Sequence, residues 1–287
     1  MLDNRMYTFL ELCNVLNYHK VAENLQMTQP AVTQHIKYLE QFYQCKLFDY
    51  SNRKLSKTKK GIILEKYARN VVSLHISVQE KLNKTEKLQI NIGATKTIGE
   101  YLLNQVIPSL MLSDQFEMNF IIDNTENLLD KLNHFELDLL LLEGDVDKAN
   151  YQYSKISTEE IVGICAPSHP FAHSVIPFEN IVNENVVLRE KGSGTRNVFE
   201  RFLKSQGHSI ESMQNKSILS SNKLIEQLVE KDLAISFVYD VIPRQNTQIA
   251  SFRIKKMKML HDFNFVYLNQ EKADKIIDLL RHALEKV

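Results

Sequence analysis

Between Thr58 and about Lys87 the chain carries a helical pattern with apolar residues at Leu64, Tyr67, Val71, Leu74, Val78 and Leu82, in steps of three and four. That is the spacing of a coiled-coil seam. A helix of this length spans roughly 45 Å at about 1.5 Å per residue. Such a rod has too little cover within a small head, so its row needs the body of its own chain or a second copy. A second copy is the natural partner, and a homodimer or homotetramer is expected. The rod also divides the 287 residues into a head (1–57), a linker helix (58–87) and a body (88–287).

The net charge of zero hides a split. Residues 1–70 hold 11 Lys and Arg against 6 Asp and Glu, while the remainder is acidic. A basic head suggests a polyanionic partner. No apolar run is long enough to span a bilayer. Met1 to Arg5 lead into no signal-peptide core, so no membrane partner and a cytoplasmic location are expected. The three cysteines Cys13, Cys45 and Cys165 are far apart, and they read as small buried hydrophobes rather than a disulfide or metal set.

In the head, Met6, Phe9, Leu10 and Cys13 recur at the spacing of one buried helical stripe. Asn17 is placed to cap a short second helix through Leu25. Thr28 is placed to cap a third, with Pro30 in its first turn, where a missing N–H matters little. Val32, Ile36 and Leu39 give this third helix its buried side. Thr28, Gln29, Pro30, Thr33, Gln34 and Lys37 lie on or near its opposite, amino-terminal face. In a helix-turn-helix that end enters the major groove. There Gln can bond adenine edges, Thr can bond bases or phosphates, and Lys can bond guanine or phosphate. Next come two short extended pieces around Ser51-Asn52, read as a β-wing. Six basic residues and one acid lie between Lys46 and Lys60. Arg53 at the wing's tip and Lys54 beside it are candidates for the minor groove or the phosphates.

The run Ala22-Glu23-Asn24-Leu25, Thr28-Gln29-Pro30-Ala31-Val32-Thr33, Ile36, Leu39-Glu40, Leu47-Phe48, Arg53, Thr58 and Gly61 resembles the LysR-type transcriptional regulators. Tyr50, Lys57 and Val21 depart from that family's usual residues. The resemblance implies a winged helix-turn-helix, a dimerising linker helix and a two-lobed, periplasmic-binding-protein-like α/β effector domain. It also implies double-stranded operator DNA and a small effector as partners, with RNA polymerase as a further one.

The body's own pattern agrees with an α/β class. Strands are predicted at Leu88–Ile92, Met118–Asp123 and Leu137–Leu142, with helices from Ile98 and Thr125 between them, which makes a βαβαβ unit. A second unit follows: strands at Ile161–Ala166, Val186–Leu188 and Leu233–Phe237, and helices over Thr195–Ser205 and Asn222–Val229. Phe263–Leu268 and a helix over Gln270–Lys286 return to the first unit. The lobes are thus 88–161 with 263–287, and 162–262, with a ligand cleft between them.

Two loops carry the expected effector chemistry. Thr95, Lys96 and Thr97 lie between a strand end and a helix start, where hydroxyls, free N–H groups and a positive charge suit an anion. Ser193, Gly194, Thr195 and Arg196 open another helix, where glycine allows close approach and the side chains add donors. A small carboxylate or oxyanion effector is expected. There is no phosphate-binding loop, dinucleotide fingerprint, metal-ligand spacing or nucleophile–base set, so neither an enzyme nor a cofactor is expected. His134 and His169 have no evident catalytic partner. The alternative is a constitutive DNA binder whose body no longer senses a ligand.

Overall fold

The computed structural model describes residues 3–51, 54–82, 87–104, 106–111, 116–144 and 150–284. The head begins with α1 (Asn4–Val15), capped by Asp3, whose carboxylate accepts from the Arg5 amide at 2.9 Å. Leu16 ends the helix in the left-handed region at φ 51°. Asn17 Oδ1 then accepts from the amides of His19 and Lys20 and opens α2 (Tyr18–Asn24). Thr28 Oγ1 accepts from the Ala31 amide at 3.3 Å and opens α3 (Gln29–Phe42), with Pro30 in the first turn. Phe9, Leu12, Val21, Val32, Ile36 and Leu47 are buried together where these helices meet. The wing follows as β1 (Phe48–Ser51) antiparallel to β2 (Lys54–Lys57), Ser51 opposite Lys54. Its tip, including the expected contact Arg53, lies outside the described residues.

Thr58 joins the wing to the long helix α4 (Lys59–Leu82). Its hydroxyl donates to the Lys46 carbonyl at 2.7 Å and accepts from the Gly61 amide at 2.9 Å. A β-carbon on Gly61 would fall 2.1 Å from the Leu47 carbonyl oxygen, so only glycine fits this crossing. Ala68 and Val72 are buried in the head's core, and Leu64, a turn earlier on the same stripe, packs against it. Leu64 therefore does not begin the outer row. Ile63 does, and it is exposed along with Tyr67, Val71, Leu74, Val78 and Leu82. The expected continuation towards Lys87 passes through 83–86, outside the described residues.

In the body, β3 (Leu88–Ala94) pairs in parallel with β4 (Phe116–Ile122) on one side and β5 (Leu139–Glu143) on the other. A π-helical turn over Ile98–Leu102 and α5 (Val106–Met111) connect β3 to β4, and α6 (Thr125–Asn133) connects β4 to β5. The chain then enters β6 (Gln152–Cys165), β7 (Val175–Ile176) and β8 (Asn185–Arg189), followed by α7 (Gly194–Ser205). After these come β9 (Asn215–Leu219), α8 (Asn222–Glu230), β10 (Ile235–Tyr239), α9 (Val241–Gln245) and β11 (Ala250–Ile254). The last elements are β12 (Met259–Tyr267) and α10 (Gln270–Leu284).

The sheet order is β4-β3-β5-β12-β6-β10-β8-β9. The antiparallel pair β6 and β12 runs from Ile161 opposite Met259 to Gln152 opposite Tyr267, and it joins two parallel halves. At the far end of the pair, β6 also takes β10 and β11 as antiparallel neighbours. The carboxyl ends of β3, β4, β5 and β8 all open on one cleft, where Thr95, Asp123, Glu143 and Glu190 meet. That is the position at which open α/β sheets bind ligands.

Candidate functional site

Two regions of the chain present chemistry to a partner. On the head, Thr28, Gln29, Pro30, Gln34 and Lys37 are exposed on one amino-terminal surface of α3, with Thr33 half-buried among them. The Thr33 hydroxyl donates to the Gln29 carbonyl at 3.0 Å, which leaves its oxygen lone pairs to face outward. His35 Nδ1 lies 2.9 Å from Thr8 Oγ1 and fixes the roll of α3 on α1, so the polar surface is held rigidly.

The basic run of the wing divides in two. Lys46 pairs with Glu40 at 2.8 Å, and Lys57 pairs with the buried Glu65 at 2.6 Å. These two brace the wing against the head. Among the described residues, Lys54, Lys59 and Lys60 make no ion pair and remain for a polyanion.

The cleft of the body brings the two sequence-expected loops together. Thr95 and Lys96 come from the end of β3, and Gly192, Ser193 and Gly194 come from the start of α7; all line one cavity of about 20 Å³. Lys96 crosses it: its Nζ donates to the Ser220 carbonyl at 2.9 Å and lies 3.7 Å from Glu190. Ser193 is the residue before α7, and its side chain makes no capping bond. Gly192 sits at φ +94°, a backbone conformation that favours glycine. Gly194 lies so close to Glu143 that a β-carbon would fall 3.0 Å from its Oε2.

Arg196 is not brought into the cavity. Its Nε donates to Glu200 at 2.6 Å and its Nη1 to the Arg189 carbonyl at 3.1 Å. In its place stand residues that the sequence reading missed. Arg189, 5% exposed, donates to both oxygens of Glu190 at 2.8 and 3.1 Å and to Asn222 Oδ1 at 2.7 Å. Glu143, 6% exposed, accepts from Thr195 Oγ1 at 3.2 Å. Both Arg189 and Glu143 are charged residues closing apolar parallel strands at the ligand-binding edge, and that placement is the signal that could have found them. Burial pushes the Glu143 carboxyl above the ordinary carboxylate range, and the Thr97 hydroxyl and the Arg189 charge offset it only in part. Glu190 goes the other way: burial opposes its charge, but the Arg189 bonds outweigh that and lower it.

The Thr95 hydroxyl on the cavity wall is turned to the Glu143 carboxyl, and Asn222, whose Oδ1 accepts from Arg189, keeps its Nδ2 buried without a partner. A larger open hollow of about 540 Å³ lies between the lobes beside Tyr101. Glu100, Glu226 and Glu230 line it against the single cation Lys223, a balance unsuited to an anion. Among the described residues there is no group of three or more His, Cys, Asp or Glu that could hold a metal ion, and no helix long and apolar enough to cross a membrane.

Residues 4–62 match the family model described as a bacterial regulatory helix-turn-helix protein of the lysR family, and residues 83–286 match the LysR substrate binding domain. The chain belongs to the LysR family of transcriptional regulators. This LysR-family chain is 28% identical over 269 residues to the HTH-type transcriptional regulator CysL of Bacillus subtilis, covering 91% of this chain and 89% of that one. It is 28% identical over 241 residues to CbbR of Rhizobium meliloti, covering 82% and 75%. Its fold is shared by a full-length OxyR variant from Pseudomonas aeruginosa, with a TM-score of 0.60 at 18% identity over 99% of each chain. Full-length BenM gives a TM-score of 0.59 at 15% identity over 100% of this chain and 96% of that one. The LysR-family head binds DNA and the LysR-family body is a substrate-binding domain, which gives the two polar regions their places in one regulator.

Proposed function

We propose that this regulator reads operator DNA with Gln29, Thr33, Gln34 and Lys37 in the major groove. Thr28 and Pro30 set the approach of α3, and Arg53 and Lys54 hold the flanking backbone. The outer row of α4 joins two copies, so that two heads address two half-sites in the cytoplasm. A small anion in the cleft, held by Thr95, Lys96, Thr97, Ser193, Gly194 and Thr195, draws the lobes together. The change in dimer packing repositions the heads and alters contact with RNA polymerase. Such a coupling between two sites is typically about 1–3 kcal/mol. Arg196 has no direct part in this reading, because Glu200 and the Arg189 carbonyl already take its donors.

The observation that carries this reading is Lys96, a cation drawn across the cleft from one lobe to Ser220 and Glu190 of the other, beside the Thr95 hydroxyl and the uncapped start of α7. Calorimetry of the full chain against a panel of small carboxylates and oxyanions tests it, together with operator footprints in the same solutions. Lys96→Ala is expected to keep DNA affinity within about twofold and to lose the shift of footprint on adding the anion. Loss of DNA binding in Lys96→Ala, or binding of neutral ligands only, rejects it. One observation favours the constitutive alternative: the cavity is only about 20 Å³ and its hydroxyls already surround the Glu143 carboxylate. Footprints and bend angles unchanged by every anion in the panel would select that alternative.

A further inference from the structure

The place of Glu143 sets a condition on any anion that enters the cleft. It closes β5 and lies against Gly194, where α7 of the other lobe begins. The groups that face it come from several elements. Thr195 on α7 donates to it at 3.2 Å, Thr97 and Thr95 after β3 also turn their hydroxyls to it, and the Arg189 charge at the end of β8 favours its ionised form. Lys96 after β3, Glu190 after β8 and Asp123 after β4 line the same cavity. His261 of β12 abuts the next residue, Gly144. Neither Arg189 nor Lys96 makes an ion pair with Glu143. Arg189 is engaged by Glu190 and Asn222, and Lys96 by Ser220 and Glu190.

Among the described residues, Glu143 is thus a buried carboxylate hydrogen-bonded only to hydroxyls, on the wall of the cleft. Two negative oxygens in contact there, away from water, repel strongly, and such pairs settle by holding one proton between them. Resting on the reading of the cleft as an anion site, we propose that Glu143 makes binding proton-coupled: the effector is a small oxyanion or carboxylate that enters with one proton, shared between its oxygen and the Glu143 carboxylate. The proton comes from solvent, leaving a hydroxide or a buffer base behind, or on the ligand where the ligand is itself a weak acid, and no bond between heavier atoms changes. The burial that already disfavours the charged form of Glu143 prepares it for this role. Affinity for a fully ionised anion then falls as pH rises above the carboxyl's titration, by about tenfold per unit.

The test titrates the full chain and Glu143→Gln with sulfate, inorganic phosphate and acetate, by calorimetry in pairs of buffers that differ in ionisation heat, between about pH 6 and 9. Sulfate carries no proton in that range, so any proton taken up enters with it from solvent. The expected result is proton uptake by the wild-type chain that rises with pH towards one per sulfate as the free Glu143 ionises, and none at any pH by Glu143→Gln, whose affinity stays level with pH. Proton counting on the wild-type chain needs no variant, so a Glu143→Gln protein that fails to fold leaves the test intact. Sulfate binding with no proton uptake and no fall in affinity anywhere between about pH 6 and 9 overturns the role of Glu143 and leaves the anion site standing. The same pH slope in a folded Glu143→Gln does likewise. If none of the three anions binds either protein, the anion reading falls and this inference falls with it.

Discussion

The Nε2 atom of His134, at the end of α6 in the body, lies 3.1 Å from Oε2 of Glu11 on α1 in the head. The contact is built from both sides. Asn24 Nδ2 donates to the other Glu11 oxygen at 2.6 Å, and His134 Nδ1 lies 2.8 Å from the Asp130 carbonyl. Beside it Arg69 of α4 donates to the Asn133 carbonyl at 3.1 Å and also bonds Asn14 and Glu65. Phe135 packs against the apolar core of the head and that of the first lobe. The head is therefore seated on the first lobe within a single chain, and a shift of that lobe has a direct route to α1.

This seating should weaken in mildly alkaline solution. The hydrogen bond to Glu11 is the largest cause that raises His134 from 6.5 to about 9. In return the His134 bond holds Glu11 below its ordinary 4.5. A raised histidine contributes fully below 6.5 and its contribution fades as pH climbs through about 9. A lowered carboxylate contributes above 4.5 and loses its part as pH falls through its folded value. Contact strength is thus greatest between these ordinary values. With His134 36% exposed, solvent screening limits the pair to about 0.5–1 kcal/mol. Amide hydrogen exchange in α1 and α6 should quicken from pH 6.5 to about 9 in the wild-type chain, beyond the intrinsic base dependence, and not in Glu11→Gln. Equal corrected rates across that window in both proteins would dismiss the contact as a contributor.

Base reading and backbone holding should separate on the head. Gln29 is exposed at the amino end of α3, where a bidentate bond to adenine is worth about 1–3 kcal/mol of discrimination. Gln29→Ala should therefore compress the affinity ratio between operator and mutated operator by that amount, with an unchanged salt slope. Lys54 on the wing is exposed and unpaired, so Lys54→Ala should weaken all duplexes alike and reduce the salt slope by about one. Fluorescence anisotropy at several salt concentrations reads both quantities. A sequence-specific loss from Lys54→Ala, or a uniform loss from Gln29→Ala, would reverse the assignment.

What could be read in the sequence was what is local. Asn17 and Thr28 cap their helices because a side-chain oxygen and an amide two or three residues on suffice. The apolar run of β5 announces a strand buried on both faces, and the alternation of β4 announces one with an open face. β9 (Asn215–Leu219) passed unseen because it is an edge strand of mostly exposed residues. β10 begins two residues later than expected, because Leu233 is 55% exposed in the preceding turn, with Asp232 at φ 56°. Arg196 was misplaced by neglect of a local rule: Glu200, four residues on, is its natural partner on a helix. Glu143 and Arg189 carry only the weak signal of a charge closing an apolar strand, and Asn222 carries none. Only the meeting of two lobes makes them a site.

The outer row of α4 makes the last prediction. Tyr67, Val71, Leu74, Val78 and Leu82 are between 47% and 76% exposed, in steps of four, three, four and four, on a helix whose other face is already buried in the head. Covering one leucine contributes about 1.5–3 kcal/mol, and a two-fold dimer covers two. A charge at this position adds the penalty of desolvation without a partner. Leu74→Asp should therefore raise the dimer dissociation constant by about a thousandfold or more, since each 1.4 kcal/mol is about tenfold. Ala68 and Val72 stay in place, so the head's circular dichroism and thermal transition should be kept. Sedimentation velocity at micromolar concentration should show a single-chain species, and a full operator should be bound no more tightly than one half-site. A Leu74→Asp protein that sediments as the wild type does would show that another surface joins the copies.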